Sequence, residues 1–257
     1  PQKYIEKPYT PRAHFLPYHE CGKRWLVIGA HRRAGKSTAT INHLLRDALI
    51  KKETRYAFIA PFRNQAKGIA WDILKKYARV VPQAEYNEAE LSVKFTNGSK
   101  ITLYGADNPD ALRGLGFDGV VFDEYSQQPS NIFSEIVRPA LADKKGYAIW
   151  IGTPRGKNEF WRLYQEAAGE NWYRVLLTVE DTKILPPEEL EDARKTMTED
   201  EYQQEFFCSF EAAIKGAYYA KELSQAREEG RIGIVPHEPS LPVNTYWDLG
   251  IGDATAI

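Results

Sequence analysis

The sequence predicts an α/β fold with a mainly parallel central sheet flanked by helices. Three observations predict it. Residues 24–37, RWLVIGAHRRAGKS, read as a short buried strand, a small-residue basic loop and the start of a helix. Residues 117–124, FDGVVFDE, read as a second buried strand with Asp123 and Glu124 at its C-terminal end. Between and after them, strand and helix patterns alternate, which is the signature of parallel strands joined by helical crossovers.

The first stretch carries the chemistry. Strand, loop, helix is the context that makes Gly35-Lys36-Ser37 a phosphate-loop candidate. Backbone N–H groups of such a loop cradle phosphate oxygens, and the helix N-terminus adds partial positive charge. The whole of Ala30, His31, Arg32, Arg33, Ala34, Gly35, Lys36, Ser37 and Thr38 is therefore the expected nucleotide-binding segment. Lys36 is expected to reach the β- and γ-phosphates and Ser37 to hold Mg²⁺. The usual pattern has glycine five residues before Gly35, whereas this chain has Ala30 there and two extra arginines in the loop. In the second stretch, Asp123 can hold Mg²⁺ through water and Glu124 can polarise a water for in-line attack on the γ-phosphate. Each motif occurs by chance. Two in this order, about 85 residues apart, are far less common.

The remaining elements follow in order. Residues 1–23, rich in proline and aromatics, are expected to lie across the nucleotide edge of the sheet, with Tyr9, Phe15 and Tyr18 able to stack on a base or to pack in the core. A helix over residues 36–50 has Ile41, Leu44, Leu45, Ala48 and Leu49 as its apolar stripe. A strand at 56–60 stops at Pro61, and a helix over 62–77 turns Ile69, Ile73 and Leu74 inward. Residues 91–95 and 100–104 alternate at period two around Asn97-Gly98, a hairpin. Arg113, after a short helical turn over 107–112, can face a γ-phosphate of its own subunit or a neighbour, or lie idle on the surface. A helix over 131–141 precedes a strand at 147–151, and Thr153 beyond its end is placed to sense hydrolysis. A helix over 157–168 and a strand over 172–179 complete this part.

From Asp181 the character changes. Residues 1–60 hold 12 Lys/Arg against 4 Asp/Glu, and residues 181–257 hold 7 against 16. The basic end suits a phosphate-rich ligand, nucleotide or nucleic acid, or is an ordinary solvated face. An acidic helix over 188–197 leads to Thr198-Glu199-Asp200-Glu201, a capping box for the next helix. A Pro-containing linker over 236–242 precedes a strand carrying Asp248. The expected division is an ATPase-type domain at 1–180, a helical linker at 181–242 and the opening of a further domain at 243–257. Hydrophobic content of 43% with 12% aromatics excludes a disordered chain. No 18-residue apolar run exists for a membrane span, and residues 1–12 lack an apolar signal core. Cys21 and Cys208, far apart and outside any zinc spacing, read as reduced thiols of an intracellular protein.

Five segments together resemble the large terminase subunit of tailed phages and prophages, the DNA-packaging motor: AHRRAGKS at 30–37, LRGLGFDGVVFDEY at 112–125, IGTPRG at 151–156, EFFCSF at 205–210 and YWDLGIGDATAI at 246–257. The arginine-bearing, glycine-poor loop is fairly specific to that family. The resemblance implies a P-loop NTPase of the additional-strand, catalytic-glutamate type, followed by a ribonuclease-H-like nuclease domain. It implies ATP as substrate with Mg²⁺, Glu124 as catalytic base, Asp123 as the metal-linked acid and Thr153 as the coupling residue. Arg32 matches the loop arginine, and Arg113 resembles the arginine offered across a ring interface. Asp248 matches the first metal-binding acid of the nuclease, which takes Mg²⁺ or Mn²⁺. A one-acid site cannot hold two metals, so the segment present is not expected to cut DNA. Implied partners are double-stranded DNA, the portal protein, the small terminase subunit and other copies in a ring, in the host cytoplasm and transiently on the procapsid, with no membrane.

Three rival readings use the same motifs. A helicase-like translocase would need a second RecA-like domain, which residues 181–257 do not supply. A nucleotide-switched DNA-binding module would not need Glu124. A nuclease with accessory ATP would rest on Asp248 alone.

Overall fold

A computed structural model of the chain describes residues 9–211, 220–233 and 240. Strands are β1 (Trp25–Ala30), β2 (Arg55–Ala60), β3 (Glu85–Asn87), β4 (Ser92–Lys94), β5 (Lys100–Gly105), β6 (Gly119–Phe122), β7 (Tyr147–Gly152) and β8 (Trp172–Leu177). Helices are α1 (Leu16–Glu20), α2 (Lys36–Ile50), α3 (Arg63–Gln65), α4 (Trp71–Ala78), α5 (Arg138–Ala140), α6 (Glu159–Glu166), α7 (Val179–Thr182), α8 (Pro187–Thr196), α9 (Glu199–Phe207) and α10 (Ala220–Glu228). π-Helical stretches at Ala66–Ala70 and Ile132–Val137 join α3 to α4 and lead into α5.

The strands form one eight-stranded sheet in the order β3-β4-β5-β2-β6-β7-β1-β8. From β5 to β8 every neighbouring pair is parallel, and only the β3-β4-β5 edge is antiparallel. Successive side chains of a strand point to opposite faces, so a strand covered on both sides is apolar throughout. β6 and β7 behave this way. Val121, Ile149 and Ile151 face a core with Leu44 of α2 and Leu74 of α4. Val120, Phe122, Ala148 and Trp150 face the other core with Ile132, Val137 and Phe160. Close strand contact needs a glycine at 119, where a Cβ would sit 2.4 Å from the Tyr147 ring. No helix among the described residues is long and apolar enough to cross a membrane.

Some expectations are met and others need correction. Ile69 is 59% exposed and Leu49 also lies at the surface, so both leave the predicted apolar stripes. The reason for Ile69 is its position in the π-helical stretch, where the altered residues-per-turn rotates it off the inward face. Phe15 and Tyr18 are fully buried, so core packing takes them rather than a base. The hairpin forms as β4 and β5, with Asn97 bridging back to Ala48 O at 2.8 Å. The capping box at Thr198 and Glu201 is present on α9. The chain divides into two compact units, 1–214 and 215–257, so α7, α8 and α9 lie in the same unit as the sheet. The second unit contains α10, whose end is followed by an Arg231–Glu229 ion pair of 2.6 Å. The linker over 236–242, except Ser240, and Asp248 fall outside the described residues.

Candidate active site

Three neighbouring strands, β6, β7 and β1, end at one edge of the sheet and aim their following loops at one place. In open α/β sheets that carboxyl edge is where ligands bind. The loop after β1 turns at Arg33 and Gly35, both with positive φ (69° and 99°), and delivers Lys36 as the first residue of α2. Glycine tolerates that conformation without a Cβ penalty. The free N–H groups of the first turn of α2 therefore open toward the loop's hollow.

Lys36 is only 8% exposed. Its Nζ donates to Ala30 O at 2.8 Å, His31 O at 3.3 Å and Thr153 Oγ1 at 3.0 Å. It stands 3.9 Å from Glu124 Oε1. Ser37 Oγ donates to Asp123 Oδ1 at 3.4 Å. The Thr153 N–H donates to Glu124 Oε2 at 3.4 Å, so the residue after β7 holds the acid after β6. Glu124 itself has φ 45°, a left-handed turn that carries its carboxylate off the strand line and toward Lys36. Burial, and then the charge of Glu124, push the Asp123 carboxyl up to about 7, with Lys36 and Ser37 opposing. Once Asp123 ionises, above about pH 7, two acids crowd beside one ammonium and leave unneutralised negative charge. Together with the Ser37 hydroxyl this is an oxygen donor set that fits a hard divalent cation.

Of the residues expected at the site, the 30–38 loop, Asp123, Glu124 and Thr153 converge. Ala34 is buried, Thr38 half-buried and Arg33 exposed. Arg32 turns to α9: its N–H donates to Glu205 O at 3.1 Å and its guanidinium lies 3.7 Å from Glu205 Oε2. Arg113 is occupied by Asp110 at 2.8 Å on the surface. Asp248 lies outside the described residues.

Some partners of the loop carry no motif. Arg12 Nη1 donates to Ala34 O at 2.7 Å and Arg33 O at 3.3 Å. With Tyr9, Thr10, Phe15, Gly35, Thr38 and Tyr77 it lines a hollow of about 340 Å³ beside the loop. Gln128, buried behind the acids, donates to Asp123 O at 2.7 Å and Ile59 O at 2.9 Å. The basic excess of the first 60 residues hinted at Arg12, and Glu205 opens the EFFCSF segment, but no local pattern marks Gln128.

A family model described as terminase large subunit, T4likevirus-type, N-terminal, matches residues 27–226. The large terminase subunit of Escherichia phage T5 is 28% identical over 211 residues, covering 77% of this chain and 47% of that protein. The large terminase subunit of Thermus virus P23-45 is 26% identical over 175 residues, covering 61% of this chain and 36% of that protein. The chain thus spans less than half the length of these relatives. Among solved structures, the large terminase ATPase domain of Thermus phage P74-26 superposes with a TM-score of 0.69 at 22% identity, covering 79% of this chain and 95% of that one. The ADP complex of the large terminase of the thermophilic bacteriophage D6E gives 0.63 at 16% identity, covering 73% and 48%. At such identities the likeness speaks for the fold, an ATPase-domain fold. With the family model matching most of its length, the chain belongs to the terminase large subunit family.

Proposed function

We propose that this chain is the ATP-hydrolysing part of a motor subunit that moves double-stranded viral DNA into a procapsid. The observation that carries the reading is the meeting of Lys36, Ser37, Asp123 and Glu124, with Ser37 and Asp123 3.4 Å apart and Lys36 3.9 Å from Glu124. The triphosphate lies along the amides of 30–38, and the nucleoside enters the hollow between Tyr9, Arg12 and Tyr77. Lys36 exchanges its carbonyl partners for phosphate oxygens. Ser37 and Asp123 are the residues that would hold Mg²⁺. When bound, Mg²⁺ neutralises charge building on the β- and γ-oxygens. Glu124, held by the Thr153 amide, orients the attacking water in line. Arginine charge from Arg32 or Arg113 then stabilises the transition state, an effect worth roughly 10³–10⁵ in rate. Thr153, bonded to both Lys36 and Glu124, couples loss of the γ-phosphate to the β7 loop.

The longer protein adds, on this reading, an endonuclease domain to which Asp248 contributes a ligand for Mg²⁺ or Mn²⁺. Its partners are the portal protein, the small subunit and further copies of itself, in the host cytoplasm. A divided outcome separates this from a nucleotide switch: Glu124→Gln binds ATP with near-normal affinity and turns it over at least 100-fold more slowly. Normal turnover by that variant would remove Glu124 from the role of base. A strand-displacement assay on the same chain distinguishes a helicase, and a DNA-cleavage assay distinguishes a nuclease.

A further inference from the structure

The phosphate loop is held from behind by side chains its own motif does not contain. His31 is completely buried. Its Nδ1 lies 2.6 Å from Arg32 O, and its Nε2 lies 2.6 Å from Thr182 Oγ1 in α7. A carbonyl oxygen can only accept, so Nδ1 carries the hydrogen. Burial, aided by the charge of Lys36 and opposed by the bond to Arg32 O, holds this imidazole below its ordinary range, so it is neutral at pH 7. A neutral ring protonated at Nδ1 leaves Nε2 as an acceptor, and Thr182 is its donor: its hydroxyl has a second acceptor in Val179 O, but at 3.4 Å against 2.6 Å.

The consequence falls on the peptide between Arg32 and Arg33. It is trans, so its C=O and N–H point in opposite directions. With the carbonyl drawn back to the imidazole, the Arg33 N–H points away from the imidazole. Among the described residues no acceptor takes that N–H. Arg33 also has φ 69°, a conformation a non-glycine residue keeps only under outside restraint. Arg12 supplies part of that restraint at Arg33 O, and His31 supplies it one peptide earlier.

We propose that Thr182 is a positioning residue of the phosphate loop, acting through His31: its hydroxyl, bonded to Nε2, holds the imidazole in the orientation from which Nδ1–H grips Arg32 O and so fixes the 32–33 peptide with its N–H facing the nucleotide's phosphates. This deepens, and rests on, the reading of residues 30–38 as a phosphate loop. It also gives α7 a direct hold on nucleotide affinity, through a residue more than 140 positions along the chain from the loop.

The test uses the 257-residue chain with ADP as the probe. Nitrogen-15 NMR of the histidines reads the His31 tautomer, and calorimetry reads ADP affinity. In the parent protein His31 is protonated at Nδ1. Thr182→Val leaves the proton at Nδ1, moves the His31 Nε2 resonance toward that of an unbonded acceptor nitrogen and weakens ADP binding about tenfold, while Thr182→Ser leaves both as they were. An Nε2-protonated His31 in the parent protein overturns the proposal without recourse to any variant. So does a Thr182→Val protein that binds ADP as tightly as its parent. If the parent itself binds no ADP, the phosphate-loop reading falls first and takes this one with it.

Discussion

The fold changes the chemistry of Asp123. Burial and the neighbouring Glu124 raise its carboxyl to about 7, from 3.8 in an ordinary aspartate. The sign of the consequence follows from linkage. The folded state holds this proton more tightly than the unfolded state, so the folded protein carries the extra proton between about pH 4 and 7. The stability contributed is therefore full below the unfolded value and is lost as pH rises through the folded one. Without divalent cation, Asp123→Asn should flatten this slope and raise the melting temperature at pH 8 by several degrees. Millimolar Mg²⁺ at pH 8 should stabilise the parent protein and leave the variant nearly unmoved. Calorimetric scans from pH 5 to 8, with and without chelator, check both. A variant less stable than its parent at pH 8 in chelator would contradict the crowding of negative charge on which the proposed cation site depends.

At the scale of elements, α9 matters because it touches the phosphate loop. Glu205, 14% exposed at its side chain, takes the Arg32 N–H at its carbonyl and the guanidinium at its carboxylate. The helix is begun by Thr198, whose Oγ1 accepts from Glu201 N while Glu201 accepts at the Thr198 N–H. Losing an N-cap of this kind costs about 1 kcal/mol. Thr198→Ala should therefore lower hydrogen-exchange protection along α9 without changing the sheet's protection, and should loosen Arg32. Exchange mass spectrometry compares the two regions directly. Uniform loss of protection across β6 and β7 would mean that α9 is not a separately frayable element.

For the whole molecule the decisive feature is the order β6-β7-β1, which brings the ends of three strands side by side. In that arrangement one subunit supplies Lys36, Ser37, Asp123, Glu124 and Thr153, but Arg113 is engaged with Asp110 at the surface. In the ring proposed above, an arginine at the surface is available to a neighbouring copy. The specific ATPase rate should rise with protein concentration, and Arg113→Ala should abolish the rise while leaving ATP affinity within about twofold. A rate per subunit that is flat in concentration, or a variant that keeps the rise, would assign the transition-state arginine to Arg32 instead.

Much of this was legible in the chain itself, for a local reason. A phosphate loop is a strand, a turn and a helix within 15 or so residues, and short-range sterics dictate all three. The acidic strand end, the hairpin at Asn97-Gly98 and the Thr198 box are local in the same way. Ile69 and Leu49 were misplaced because periodicity assumes a regular helix and says nothing of where a neighbouring element stops. What only the tertiary structure decided is who stands next to whom. The strand order, Arg12 against the carbonyls of residues 33 and 34, Glu205 against Arg32, and Thr182 against His31 are contacts between distant parts of the chain. They are set by how the crossovers pack on the sheet, and no pattern within a few residues of sequence can encode them.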